Sequence, residues 1–299
     1  NPDWSYVASA NQHSTTEDFP YYYNNENFEG YRGRFIANQL NTRKDFSVED
    51  MQQLQLNNYS LKTEDLFDLM IESLDTISLN NGERAMRSLL RNWDFRYDKQ
   101  LLTPIYFQEW FNNIYKMTWE GVLNQEEYQR ILYPTHWRTV HLIRDLPASD
   151  VFDLQETSEQ EEASDIMILA FRKMVKEVAA RLITEPDLNW SNYRNTNIRH
   201  LANIGGFSYQ NIYAGGYRSA LNAVTNRTGP SWRMVVEMDS IPKATVIYPG
   251  GQSGNPGSPH YDDFIADWTT GNYYEGLFFQ QKEKAALTCT RSITFEPTK

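Results

Sequence analysis

From residue 47 to residue 178, apolar side chains return every three or four positions; beyond residue 230 they alternate with polar ones. That change of period constrains the fold most, because a 3.6-residue repeat buries one face of a helix and a two-residue repeat one face of a strand. Ser47-Val48-Glu49-Asp50 has the form of a capping box, in which side chains satisfy the free amides at a helix start. Met51, Leu54, Leu66, Leu69 and Met70 continue at helical spacing. Met86, Leu89, Leu90 and Trp93 predict a second helix, and Phe107, Trp110, Phe111 and Ile114 a third. Ser158 and Glu161 begin another, with Met167, Ala170, Phe171, Met174 and Val178 on one face. Trp232 to Met238 and Ala244 to Tyr248 are β-rich runs, and Leu287, Cys289, Ile293 and Phe295 alternate as a half-buried strand does. The first 35 residues, rich in Asn, Tyr and Gly, read as strand and loop. The expected class is α+β: a strand-and-loop segment over 1–45, a mainly helical stretch over 46–200 and a β-rich part over 201–299. Strands near 4–11, 231–248 and 287–295 then share sheet structure. No repeat or low-complexity linker divides the chain.

Apolar residues make up 40% of the 299 positions, with 19 Tyr, 15 Phe and 8 Trp. This is enough to bury a core, so the chain is globular rather than disordered. The net charge of −11 argues against a nucleic-acid partner, since phosphate binding needs clustered Lys and Arg. Cys289 is the single cysteine, which leaves no internal disulfide and no thiolate metal cage. No apolar run is long enough to span a membrane. Asn1-Pro2-Asp3-Trp4 has the form neither of a signal peptide nor of a natural start, so the chain reads as a mature or excised piece.

Between the run ending at Tyr248 and the alternating segment at 287–295 lies a Gly/Pro/Ser loop, Pro249 to Pro259. Taken alone, it reads as a rigid turn: glycine permits left-handed backbone and proline fixes φ. His260, with Asp262 and Asp263 beside it, reads as a hydrogen-bonded structural residue. The two adjacent carboxylates would point to opposite faces of a strand, a poor arrangement for acid–base work.

Tyr248-Pro-Gly-Gly-Gln-Ser-Gly-Asn-Pro-Gly-Ser-Pro-His-Tyr-Asp-Asp263, followed by Trp268, Gly271 and Tyr273, resembles the C-terminal signature of penicillin amidases. Gly229-Pro-Ser-Trp-Arg233 with Val235-Val-Glu-Met-Asp239 is similar to the family strand before it. Gly215, Gly216 and Asn222 match a Gly-Gly…Asn segment, and Trp93-Asp94 and Asp153 through Thr157 match weaker positions. Near the start, Asn1-Pro2, Tyr6-Val7, Asn11 and Phe19-Pro20 resemble another family segment, and Tyr31-Arg32 with Ile36 and Leu40 a further one. The matches are collinear over nearly the whole chain.

The resemblance implies the C-terminal part of a β-subunit with the αββα fold of N-terminal-nucleophile hydrolases. It implies an acylase, periplasmic or secreted, made by self-cleavage of a precursor, that cleaves N-acyl bonds of penicillin-like, acyl-homoserine-lactone or N-acyl amino acid substrates through an acyl-enzyme. In the family the nucleophile is commonly a Ser whose own α-amine is the base, since a hydroxyl needs an adjacent proton acceptor. Asn1 stands at the start here, and Ser5 and Ser9 have their amines in peptide bonds. An α-chain and the N-terminal part of the β-chain are therefore the expected partners, and this chain alone is expected to be inactive. By position, Asn11 matches the family's oxyanion-hole asparagine and Arg32 the arginine that orients nucleophile and substrate. The chemistry requires no cofactor. Some members hold a structural calcium partly through a carboxylate after the Tyr-Pro segment; here Pro20 to Asn25 has none before Glu26. A reading of another class, a secreted glycan-binding protein, rests on the Tyr, Trp and Asn content, which suits stacking on sugar rings.

Overall fold

The computed structural model describes residues 5–16, 18–22, 29–123, 132–154, 157–278, 291 and 293–297. Among them, in chain order, are α1 (Tyr31–Leu40), α2 (Val48–Gln55), α3 (Leu61–Ser73), α4 (Asn81–Arg91), α5 (Thr103–Leu123), α6 (His136–Asp145), α7 (Ala163–Thr184), α8 (Trp190–Arg194), strands β1 (Thr196–Ile198), β2 (Tyr209–Ile212), β3 (Arg233–Glu237) and β4 (Lys243–Ile247), helix α9 (Ile265–Thr270) and β5 (Tyr274–Gly276). They fall into two compact units. The first comprises Asn1–Asp45 and Leu54–Pro230; the second comprises Phe46–Gln53 and Ser231–Lys299.

The first unit is built around α5 and α7. Trp110, Phe111, Ile114, Ile166, Phe171 and Met174 are buried at the helical spacing of the sequence. The Trp110 ring lies 4.9 Å from that of Phe171, and its Nε1–H donates to the Met167 carbonyl at 2.8 Å. An indole buried this way keeps its one polar atom satisfied. β1 and β2 form a small antiparallel pair. Start signals are read correctly in part. Ser47 Oγ accepts from the Asp50 amide at 3.1 Å and Asp50 Oδ2 from the Ser47 amide at 2.9 Å. α7, by contrast, begins at Ala163 rather than at Ser158. The Glu161 carboxylate is taken instead by the Leu154 amide and the Thr157 hydroxyl.

In the second unit, β3, β4 and β5 make an antiparallel sheet with β4 in the middle, and α9 follows the Gly/Pro loop. The β-rich runs at 232–238 and 244–248 thus lie in sheet structure as expected, paired as β3 and β4, and β5 adds a strand the periodicity does not single out. At the ends the expectation is corrected. Residues 5–16 form no strand: Ser5 and Asn11 have φ of 67° and 64°, a left-handed conformation that breaks an extended ladder. Leu287 and Cys289 lie outside the described residues, while Ile293 and Phe295 are exposed and unpaired in any strand. Among the described residues, no helix is long and apolar enough to cross a membrane.

Replacing Trp110 with Ala removes a fully buried aromatic and leaves the Met167 carbonyl without its donor. It is expected to cost about 3–5 kcal/mol, read as a lowered urea midpoint with an unchanged denaturant slope.

Candidate active site

A cavity of about 1220 Å³ opens in the first unit. Asn11 and Arg32, 21 positions apart in sequence, both line it, and they meet: Arg32 Nη2 donates to Asn11 Oδ1 at 2.9 Å. Two local features bring them together. Ala10 is buried and its amide donates to Gln12 Oε1 at 2.6 Å, which turns the chain back on itself at Asn11. Gly33, the residue after Arg32 on α1, lets that turn lie against the helix; a Cβ there would stand 2.8 Å from Gln12 Oε1. Because a guanidinium only donates, it selects the carboxamide oxygen and so turns Asn11 Nδ2, with its two hydrogens, the other way. The result is a neutral donor held in one orientation.

Tyr217, Arg218, Ser219 and Ala223 also line the cavity, on the segment that runs from Gly215-Gly216 past Asn222. Gly216 has φ +106°, and a Cβ on it would lie 2.3 Å from the Asn222 carbonyl, so only glycine fits. Asn222 Nδ2 donates to Asn58 Oδ1 at 2.9 Å, and Asn58 Nδ2 to Asp98 at 2.6 Å. Arg194, at the end of α8, is buried and gathers the carbonyls of this segment: Nη2 donates to Ala214 O at 2.6 Å, Nη1 to Gly216 O, and Nε to Thr196 Oγ1 at 2.9 Å. Burial pulls its pKa down to about 10, which leaves it charged at neutral pH. Tyr217 stacks on Tyr97 with centroids 4.0 Å apart.

Sequence reasoning missed Lys62 and His136, which also line the cavity. Lys62 is only 1% exposed. Its Nζ sits 4.0 Å above the Phe111 ring and 3.4 Å from His136 Nδ1. Among the described residues, no carboxylate lies within ion-pair distance of it. Burial lowers its pKa to about 8, against the opposing field of Glu29. Burial first, and then Lys62 itself, lower His136 to about 3, so its ring is neutral and accepts. In the sequence, Lys62 stands on a helix face among leucines with no pattern to mark it.

His260 lies in the second unit. Its Nδ1 is 2.9 Å from Asp263 Oδ2 and its ring is exposed. Its carbonyl accepts from the Ser253 amide at 2.9 Å and lies 2.1 Å from where a Cβ on Gly251 would stand. The Gly/Pro loop is thus closed on itself by backbone bonds. Among the described residues no group of three or more His, Cys, Asp or Glu side chains is placed to hold a metal. Pro20 to Tyr22 offer no carboxylate to a calcium ion, and Tyr23 to Glu26 lie outside the described residues.

The folded pKa of Lys62 lies below its unfolded value, so between about pH 8 and 10.5 the unfolded chain binds the extra proton and this group's contribution to stability rises with pH. Below pH 8 the buried charge opposes folding in full. Lys62→Met is therefore expected to raise stability at pH 7, by about 1–3 kcal/mol, with the gain shrinking toward pH 10. Paired urea titrations at the two pH values check this.

The profile of the penicillin amidase family matches residues 1–285. An acyl-homoserine lactone acylase, QuiP, of Pseudomonas syringae pv. tomato (strain ATCC BAA-871 / DC3000) is 34% identical over 103 residues, which are 32% of this chain and 12% of that protein. The protein of the same name from Pseudomonas syringae pv. syringae (strain B728a) is 33% identical over 73 residues, 24% of this chain and 9% of its own length. A thermostable penicillin G acylase from Alcaligenes faecalis superposes with a TM-score of 0.64 at 15% identity, over 100% of this chain and 58% of that one. The chain therefore spans a small part of these two relatives and little more than half of the acylase, whose fold it shares. This chain belongs to the penicillin amidase family.

Proposed function

We propose that this chain supplies the oxyanion donor, and the walls of the substrate cavity, of an amide hydrolase that cleaves N-acyl bonds through an acyl-enzyme. The observation that carries the reading is the Arg32–Asn11 hydrogen bond on the cavity lining. When a nucleophile adds to an amide carbonyl, negative charge develops on the oxygen, and a donor already fixed in place stabilises it with no reorganisation. Asn11 Nδ2 is such a donor. Arg32 is a positioning residue: its charge also polarises the carboxamide it holds, which strengthens the Nδ2 hydrogens as donors.

In this reading the nucleophile and its amine come from sequence beyond these 299 residues, as the family's self-cleaved precursor and α-chain imply. The enzyme is then exported to the periplasm or secreted. Acyl-homoserine lactone acylase relatives and a penicillin G acylase neighbour support small N-acyl substrates. No observation favours the glycan-binding reading: Trp93, Trp110, Trp119, Trp190 and Trp268 are buried, so much of the aromatic content serves packing.

The 299-residue chain alone is expected to leave N-acyl chromogenic amides uncleaved; turnover abolished by a substitution inside it would place the nucleophile in this chain. In the complete enzyme, Asn11→Ala is expected to lower kcat by about 10²- to 10³-fold, or about 3–4 kcal/mol, with KM little changed. Arg32→Met should act in the same direction and add little to Asn11→Ala, because both act on one hydrogen bond. A normal kcat in Asn11→Ala with a lowered melting temperature would leave Asn11 a turn residue. Additive effects of the two substitutions would separate their roles.

A further inference from the structure

The cavity is cationic in an acidic chain. Arg32, Lys62, Arg194 and Arg218 line it, with Glu29 the one carboxylate among its lining residues, although the whole chain carries −11. These cations are not equivalent. Arg32 is spent on Asn11 and Arg194 on backbone carbonyls. Glu29 accepts from the Ser219 hydroxyl at 2.9 Å. Lys62 differs from both: its ammonium is fully buried, yet it borders the cavity and has three donors. One faces the neutral His136 nitrogen and the Phe111 ring lies beneath. A buried ammonium supported by one neutral acceptor and a ring face is under-solvated, and an anionic oxygen entering the cavity would complete its shell.

We infer that Lys62 is a carboxylate-recognition point, with Arg218 exposed on the same lining, and that the preferred ligand of this cavity is an N-acyl compound carrying a free carboxylate, such as an N-acyl amino acid, rather than a neutral N-acyl amide. This rests on the hydrolase reading for what becomes of the ligand, and on the cavity alone for its recognition. His136 has a second part here. With Nδ1 accepting from Lys62, its proton sits on Nε2, so the ring holds the ammonium in place without adding charge.

The groups that act on Lys62 are His136 on α6, Glu29 before α1 and Arg218 on the loop after β2, and Tyr217 lines the same cavity. From pH 7 to pH 9.5 His136 stays neutral. Burial holds the Tyr217 phenol well above its usual range. Lys62 changes within this interval, since its proton leaves near pH 8. Carboxylate affinity is therefore present below that pH and lost above it.

The test is calorimetric titration of the 299-residue chain with N-octanoylglycine and with N-octanoylglycinamide, which differ in charge and hardly in shape. At pH 7 the carboxylate is expected to bind at least about tenfold more tightly than the amide, a difference of about 1.4 kcal/mol, and the ratio should approach one at pH 9.5. Lys62→Met keeps an unbranched chain against Phe111 and should bring the ratio close to one at pH 7, with its melting curve showing the variant folded. Equal affinities in the unsubstituted chain, no binding of either compound at millimolar concentration, or a preference that survives in folded Lys62→Met would each overturn the inference. Turnover of N-octanoylglycine by the complete enzyme is a separate readout. Binding without cleavage defeats the hydrolase reading and leaves recognition standing, and cleavage without carboxylate preference does the reverse.

Discussion

The cavity wall hangs on Arg194. A buried guanidinium must place its N–H groups somewhere, and here they draw the carbonyls of Ala214 and Gly216 and the Thr196 hydroxyl to one point. The Trp190 indole donates to the same Gly216 carbonyl at 2.8 Å. That convergence forces the backbone at 214–217 into a path that only glycine can take at 216. It fixes where Tyr217, Arg218 and Ser219 leave the chain. The same device recurs. Arg32 is held by a carboxamide, and Lys62 by an imidazole nitrogen and a ring face. Neutral acceptors leave each cation's charge uncancelled, whereas a carboxylate partner would quench it.

Uncancelled charge has a use and a cost. At Arg32, on the proposed reading, it orients and polarises a donor for the negative charge that develops on the substrate carbonyl. At Lys62 it lowers stability at neutral pH, because no carboxylate among the described residues pairs with the desolvated ammonium. A core position among Leu61, Leu66 and Phe111 would be filled more stably by an apolar side chain. Such a residue is explained by a ligand rather than by the fold, in keeping with active sites that trade stability for chemistry.

The helices were legible because their apolar stripes are long and regular: the Phe107, Trp110, Phe111 and Ile114 face of α5 is buried as its spacing requires. Strands β3 and β4 were legible as two short β-rich runs, at 232–238 and 244–248. The N-terminal strand was misread because left-handed backbone at Ser5 and Asn11 leaves no mark in composition. Asn11 and Arg32 were found through the family segments around them, since neither residue type stands out alone; their contact depends on Gly33, whose reason is visible only once Gln12 lies over it. Lys62 escaped because a lone lysine on a helix is ordinarily solvated, and burial is a property of the tertiary structure.

The account turns on the direction in which Asn11 presents its amide. The most direct measurement is a crystal structure of the complete, processed enzyme carrying a tetrahedral boronate adduct on its nucleophile. The account predicts Asn11 Nδ2 within about 2.7–3.1 Å of the adduct oxygen that stands for the oxyanion, with Arg32 still donating to Oδ1. An adduct oxygen held by other donors, with Asn11 Nδ2 directed to solvent or to backbone, would contradict it.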